Sequence, residues 1–419
     1  MKLKLRVSRT TAFALLFALC PFLSYYVIPL TKFNLTVGLF VLVFLVEFAR
    51  MLWRPQKLLL KRFYGNRLFY ITFIFVVLNH FNVLIFNPTA HHSPYAVKDI
   101  FLLFIEMLGI ILFFSEDNAI KVFRKYTENI ALFMGIIVIL ECVAWYGLHF
   151  FPAGKDTQLT LPFISEEAKK GVSQILSNTG LFRPCAFFLE PAHFSRYAAV
   201  ALSSMLFSDG NKPINFKTVT LSLSILLTLS GFGIMLVALV WSIYYMIGSG
   251  RFTAKAVGRG LFFIIVAMVL VAGLYATSPS FRSALGRFTG AEGDNGIYGR
   301  MGNYYYFIQN MKGFSRAFGM GYKNLPYQEA KQSTYYFTGI LEMMYCQGLA
   351  GTLLFICLYV AMLLDIYRHK NMLAFVVATI SLVFFIGSAF FSALSMLIYI
   401  PFLFKRGQGT LLRKGIGSD

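Results

Sequence analysis

Leu68–Phe86 reads LFYITFIFVVLNHFNVLIF, a run without a single Lys, Arg, Asp or Glu. A helix needs roughly 17 to 25 predominantly apolar residues to cross the hydrocarbon core of a bilayer. A transmembrane barrel strand would alternate apolar and polar residues, and this run does not, so it predicts a spanning helix. Working outward, similar runs occupy Ala12–Leu30, Phe33–Leu52, Ala96–Phe114, Asn129–Phe151, Ala192–Ser208, Phe216–Ser230 and Phe232–Ile247. Four more follow at Gly260–Thr277, Phe337–Leu364, Met372–Ile386 and Phe390–Phe404. The expected fold class is therefore all-α: a polytopic transmembrane helix bundle of about 12 spans, forming one integral membrane domain over residues 1–419.

Composition agrees. Hydrophobic residues make up 58% of the 419 positions and charged residues only 13%, which a water-soluble fold cannot bury without large exposed apolar patches. The 46 Phe suit a lipid-facing surface. The first run follows Lys2, Lys4, Arg6 and Arg9 as a secretory signal would. It lacks a small-x-small cleavage site and a second run follows at once, so it reads as a retained first helix. Cys20, Cys142, Cys346 and Cys357 fall inside apolar runs, leaving Cys185 as the one thiol expected in an aqueous phase. No disulfide framework can be built from that set.

Orientation follows from the basic residues of the short connections. They fall on alternate connections: Arg50, Arg54, Lys57, Lys61, Arg62 and Arg67; Lys121, Arg124 and Lys125; Lys212 and Lys217; then Arg251, Lys255 and Arg259. Arg368 and Lys370, and the tail Lys405, Arg406, Arg413 and Lys414, continue the series. Both termini are thus expected to be cytoplasmic. The net charge of +20 is spent on this pattern and on one external loop, so no nucleic-acid partner is expected. On the opposite face Ser230-Gly231-Phe232-Gly233 and Gly387-Ser388 read as tight turns in which glycine supplies unusual backbone angles. Two long external loops remain, 152–191 and 278–336, and loops of such length are usually functional.

The second loop carries Arg282, Arg287, Arg300, Lys312, Arg316, Lys323 and Lys331 against Glu292, Asp294 and Glu329. A basic external surface beside a membrane suits a lipid-linked phosphate or pyrophosphate, because a guanidinium holds two oxygens at once. A solvated loop or contacts to anionic headgroups are the plainer alternatives. Ile297, Met301, Tyr305, Ile308 and Met311 recur at helical spacing and predict an amphipathic interfacial helix. Phe318-Gly319-Met320-Gly321-Tyr322 then offers either a close backbone approach to a ligand or a turn. The first loop ends in Arg183-Pro184-Cys185-Ala186-Phe187-Phe188-Leu189-Glu190-Pro191-Ala192-His193-Phe194-Ser195-Arg196. Here a carboxylate, an imidazole and guanidinium groups gather where the chain enters the bilayer, with Pro191 suited to the first turn of a helix. A capping carboxylate with an ion-paired arginine is the alternative reading. Neither Glu292-Gly293-Asp294-Asn295-Gly296 nor His91-His92 has metal-ligand spacing, so no metal and no cofactor is expected.

The Arg-Pro-x5-Glu-Pro-x2-Phe-Ser pattern from Arg183 to Ser195 resembles the bacterial O-antigen and capsular polysaccharide polymerase family, related to the O-antigen ligases. Leu229-Ser230-Gly231-Phe232-Gly233, Arg300 and the Phe318–Gly321 stretch add to that resemblance. The resemblance implies a metal-independent inverting glycosyltransferase of the bacterial cytoplasmic (inner) membrane, joining glycan repeats carried on undecaprenyl pyrophosphate at the outer leaflet. It implies Glu190, Arg183 and Arg300 as catalytic residues. Arg287, His193, Arg196, Tyr304, Gly319 and Gly321 are then the substrate-binding candidates. The implied partners are lipid-linked oligosaccharide and membrane lipids, with a chain-length regulator as a further candidate. Family members often carry an arginine after the serine of the turn, where this chain has Gly231. O-antigen ligases carry a histidine near the start of the helix after the large loop, where this chain has Ser333-Thr334-Tyr335, which favours a polymerase over a ligase.

A lipid-oligosaccharide flippase or transporter is the main rival. Glu106, Glu141 and His80 near mid-span support it, since intramembrane ionisable groups form ion pathways. The same groups, with Asn79, could instead tie helices together by hydrogen bonds. Glu342, early in the tenth run, could belong to an external catalytic cavity.

Overall fold

In a computed structural model the chain is described at residues 8–24, 26–28, 33–53, 64–87, 96–114, 116–148, 182–207, 214–247, 306–325, 327–328, 333–334, 339–387 and 393–404, and at scattered positions between 258 and 277. These are mostly helical, as expected. The helices are α1 (Arg9–Leu23), α2 (Leu35–Trp53), α3 (Asn66–Phe86), α4 (Ala96–Phe114), α5 (Asp117–Cys142, prolonged by a π-turn at Val143–Gly147) and α6 (Pro191–Phe207). They continue with α7 (Phe216–Leu227), α8 (Gly231–Ile247), α9 (Gly313–Phe318), α10 (Gly339–Arg368), α11 (Met372–Gly387) and α12 (Ala393–Leu403). Two antiparallel pairs of two-residue strands complete the described elements: β1 (Val27–Ile28) with β2 (Phe33–Asn34), and β3 (Tyr327–Gln328) with β4 (Ser333–Thr334).

Among the described residues, three helices are long and apolar enough to cross a membrane: Asn66–Phe86, Asn118–Gly147 and Gly339–Arg368. Each turns large apolar side chains outward. Leu78 is 64% exposed, Leu140 60% and Leu353 60%, which suits hydrocarbon and not water. Shorter apolar helices cover Arg9–Leu23, Phe216–Leu227, Gly231–Met246 and Met372–Phe385. The chain is a membrane protein on these grounds.

Helix α6 is the axis of the bundle. Every residue from Phe194 to Leu206 is buried, and α1, α5, α7, α8, α11 and α12 surround it. Lipid is as apolar as leucine, so helices in a bilayer associate by close packing and hydrogen bonding and not by expulsion of water. The sequence of α6 fits that requirement: Ala198, Ala199, Ala201, Ser203 and Ser204 let neighbours approach, and polar groups pair across helices. The Ser204 hydroxyl donates to Glu128 Oε1 at 2.6 Å, and Tyr197 Oη donates to the Ala18 carbonyl at 2.8 Å. Where α5 meets α7, Gly135 does the same service, since a Cβ there would lie 2.8 Å from Ser224 Oγ. Phenylalanine fills the space between α1, α2 and α4, with Phe17 against Phe40, Phe113 and Phe114 at ring separations of 5.2 to 5.7 Å.

Two expectations are corrected by the backbone. The turn before α8 takes its left-handed conformation at Leu229 (φ 50°), not at a glycine; Gly231 and Gly233 are already helical. Two residues separate α7 from the cap Ser230, and the reversal falls before the glycines. Cys185 is buried, 2% exposed, because the segment before α6 folds inward and its thiol donates to the Phe188 carbonyl at 3.0 Å.

Candidate functional site

The segment Phe182–Glu190 is irregular, and its backbone is pinned from α5. Tyr146 Oη donates to the Phe182 carbonyl at 2.8 Å, and Trp145 stacks on the Phe182 ring at 4.9 Å. The Ala186 N–H donates to Glu141 Oε2 at 2.9 Å, holding Ala186 at φ 51°. Glu141, 4% exposed, is thus a clamp on the turn that carries Arg183 toward α6. The chain then enters α6 as its sequence predicts. Pro191 occupies the first turn, and the Glu190 carbonyl accepts from the His193 and Phe194 N–H groups at 3.0 and 3.3 Å. The side chains of Glu190 and Arg196 both act electrostatically on His193.

Arg196 is 4% exposed, with its guanidinium carbon 3.7 Å from the centre of the Phe384 ring of α11 and 6.0 Å from that of Tyr399 of α12. Aromatic faces partly replace the hydration lost by a buried cation. The turn before α8 is fitted to the same helix. A Cβ on Gly233 would lie 2.5 Å from Ser195 Oγ, and that hydroxyl donates to the Pro191 carbonyl at 2.7 Å and lies 3.3 Å from Thr228 Oγ1. The Glu-Pro-Ala-His-Phe-Ser-Arg and Leu-Ser-Gly-Phe-Gly stretches, more than thirty residues apart in the chain, are one packed unit at the start of α6.

The second cluster centres on a break in α10. Gly348 has φ 66° and ψ −171°, so the helix is interrupted and the carbonyls just before it lose their intrahelical partners. The Met320 and Gly321 N–H groups replace them, donating to the Tyr345 and Cys346 carbonyls at 2.9 Å each. Backbone meets backbone here: a Cβ on Gly319 would lie 2.5 Å from the Cys346 carbonyl carbon and oxygen, and one on Gly348 would lie 2.4 Å from the Ala317 carbonyl oxygen. Asn79 of α3 braces the joint, its Nδ2 donating to the Phe318 carbonyl at 2.7 Å and to Gln347 Oε1 at 3.1 Å. Asn87 Nδ2 donates to Ser315 Oγ at 2.8 Å. Beyond the glycines, Lys323 Nζ pairs with Asp99 at 3.0 Å, and Tyr322 is buried beside it. The Tyr322 hydroxyl is held above its usual range, by burial first and then by the charges of Asp99, Glu342, Cys346 and Glu106.

The site residues expected from sequence fall as follows. Glu190, His193 and Arg196 lie within two turns of one another at the start of α6, where Glu190 and Arg196 act on His193, and Arg183 lies in the irregular segment that precedes them. Gly319 and Gly321 are at the α10 break, where they serve backbone approach to a helix. Arg300, Arg287 and Tyr304 lie outside the described residues, as does most of the amphipathic helix; of that helix Tyr306–Gln309 are helical and Met311 is buried. Glu141 does not pair with Glu106 or His80, since its partner is the Ala186 backbone. Sequence reasoning missed the Lys323–Asp99 pair, the aromatic seat of Arg196 and the α10 break. Gln347-Gly348 inside an apolar run was the readable signal for the last. Among the described residues no group of His, Cys, Asp and Glu is arranged to hold a metal ion. Comparison of the chain with family models, with curated proteins and with solved structures finds no match.

Proposed function

We propose that the chain is an O-antigen-type polysaccharide polymerase, joining undecaprenyl-pyrophosphate-linked repeat units at the outer leaflet of the bacterial cytoplasmic membrane. In this reading about twelve spans cross that membrane, with both termini cytoplasmic. The observation that carries it is the close approach of the two separated motif stretches, Gly233 against Ser195, at the start of α6, the helix that carries His193 and Arg196 and follows Glu190. In the reaction, an acceptor sugar hydroxyl attacks the anomeric carbon of the donor glycan from the face opposite the pyrophosphate. The new C–O bond forms as the bond to the pyrophosphate oxygen breaks. Glu190 takes the hydroxyl proton, the task a positioned carboxylate performs. Arg183, with Arg300 and Arg287 from the second loop, neutralises the departing pyrophosphate, and Arg196 with His193 sets the field around Glu190.

A strain lacking the protein, complemented with wild type, Glu190→Gln, Arg183→Ala or Arg300→Ala, tests this through surface glycan length. Collapse to single repeat units with attachment to the final acceptor intact is the expected result. Loss of all external repeats would establish a flippase in its place, and long but unattached polymer a ligase. The flippase reading has one observation of its own, the broken helix α10 beside buried ionisable groups, a feature also found where transporters bind.

A further inference from the structure

Asn79 uses only half of its amide in bracing the joint at the α10 break. Its Nδ2 gives both hydrogens, to the Phe318 carbonyl at 2.7 Å and to Gln347 Oε1 at 3.1 Å. A backbone carbonyl can only accept, so turning the amide over would set two oxygens face to face. Oδ1 is therefore fixed on the side away from both partners. Asn79 is 3% exposed, and its Oδ1 accepts no hydrogen bond among the described residues. Thr72, about two turns away on the same buried face of α3, also has an oxygen without a partner among them. A threonine hydroxyl can rotate to a carbonyl of its own helix, whereas an amide held at both hydrogens cannot turn. The acceptor that still requires a donor is Asn79 Oδ1.

We propose that the joint binds one ordered water molecule, which donates to Asn79 Oδ1 and to the Cys346 carbonyl and so ties α3 to the interrupted end of α10. The proposal does not depend on the glycosyl-transfer reading. An amide oxygen buried inside a span is costly without a donor, and a buried water is held by about two to four polar partners. Cys346 offers the second partner. The Gly321 N–H takes one lone pair of its carbonyl oxygen, and Gly319, next in the chain to Phe318, lies against that same oxygen. Water also suits the backbone, because a helix interrupted at membrane depth leaves carbonyls that solvent can satisfy. A cation suits the place less. It calls for several oxygens turned toward it, and the Phe318, Tyr345 and Cys346 carbonyls and Gln347 Oε1 already face N–H groups.

The test is an experimental structure of the full chain in lipid nanodiscs, at a resolution that shows ordered water, determined once in sodium chloride and once in choline chloride. A peak about 2.5–3.0 Å from Asn79 Oδ1, within hydrogen-bond reach of the Cys346 carbonyl and present in both salts, is the expected result. Asn79→Leu, close in size but without the amide, is expected to lose the peak. No peak beside Oδ1 in the wild type would overturn the proposal, and so would a peak that survives in Asn79→Leu. A peak present in sodium and lost in choline would overturn it as well, by establishing a cation at the same place. Where Asn79→Leu does not fold, the two wild-type maps decide the matter alone.

Discussion

Replacing Gly319 with alanine places a Cβ 2.5 Å from the carbonyl carbon and oxygen of Cys346, at a φ of 79° that an L side chain resists. The atoms it meets are backbone, so nothing can rotate away. The expected cost is about 3 kcal/mol or more, seen as a lowered thermal unfolding midpoint in detergent. Gly321→Ala shares the unfavourable angle, φ 95°, but meets side chains and not backbone, His80 Nδ1 at 3.3 Å and Val83 Cγ1 at 3.6 Å, so about 1–2 kcal/mol is expected there. Equal losses at the two positions would show that backbone angle alone, and not the helix contact, sets the requirement. Charge is tested as sharply at Glu116, which Arg9 and Arg50 share at the other end of the bundle; Arg9 reaches it at 3.0 Å. Partial burial raises the Glu116 carboxyl, but the hydrogen bond and charge of Arg50, then those of Arg9, outweigh burial and hold it below the usual carboxylate range. A group depressed in the folded state stabilises above its unfolded value, about 4.3, and that contribution is lost as pH falls through the folded value. Unfolding midpoints measured from pH 7 down to about pH 3 should therefore fall less steeply for Glu116→Gln than for wild type, and the difference should shrink in high salt.

At the scale of elements, the clamp of α5 on the segment before α6 separates positioning from chemistry. Glu141→Gln keeps the shape but weakens the bond accepted from the Ala186 N–H, with an expected cost of about 1–3 kcal/mol. On the polymerase reading that variant should shorten glycans without abolishing them, whereas Glu190→Gln should leave single repeats. Glycan length profiles of the two variants, at matched protein level, decide it; a null phenotype for Glu141→Gln would move that residue into the reaction itself. How legible these elements were in the sequence depended on how local their causes are. The start of α6 was readable because Pro191 and the Glu190 carbonyl act within one turn. The break in α10 had only the weak local signal of Gln347-Gly348 in an apolar run, because the contacts that Gly348 makes with Ala317 and Gly319 come from elsewhere in the chain. Leu229 is the converse case: a leucine in the left-handed region beside two glycines cannot be picked out by residue type. Glu106 and Glu141 were visible as ionisable residues in apolar runs, but their different partners, a lysine field and a backbone N–H, are tertiary facts.

Over the whole molecule, the ends of the helices sort themselves by contacts made far apart in sequence. Arg9 at the start of α1 reaches Glu47 near the end of α2 at 2.5 Å and Glu116 between α4 and α5 at 3.0 Å. The Tyr64 N–H before α3 donates to the Leu403 carbonyl at the end of α12 at 3.0 Å, and the Tyr64 ring lies 5.7 Å from His369, between α10 and α11. Arg124 near the start of α5 sits 5.3 Å over Phe402. One end of the bundle thus gathers the starts of α1, α3, α5 and α11 with the finishes of α2, α4, α10 and α12. The opposite end holds Asp99 with Lys323, Asn87 with Ser315, and Glu141 with Ala186. This is the alternation that the basic connections require, because Arg50, Lys121, Arg124, Arg368 and Lys370 all fall at the first end. That end is therefore expected to face the cytoplasm. Enzyme reporters active only inside or only outside the membrane, fused after residues 60, 120, 212 and 370 and within 152–181 and 278–305, check the assignment. The first four positions should report inside and the two long loops outside. An inside signal from either long loop would place Arg183 or Arg300 away from any glycan carried on the outer leaflet, and the polymerase reading would fall with the topology.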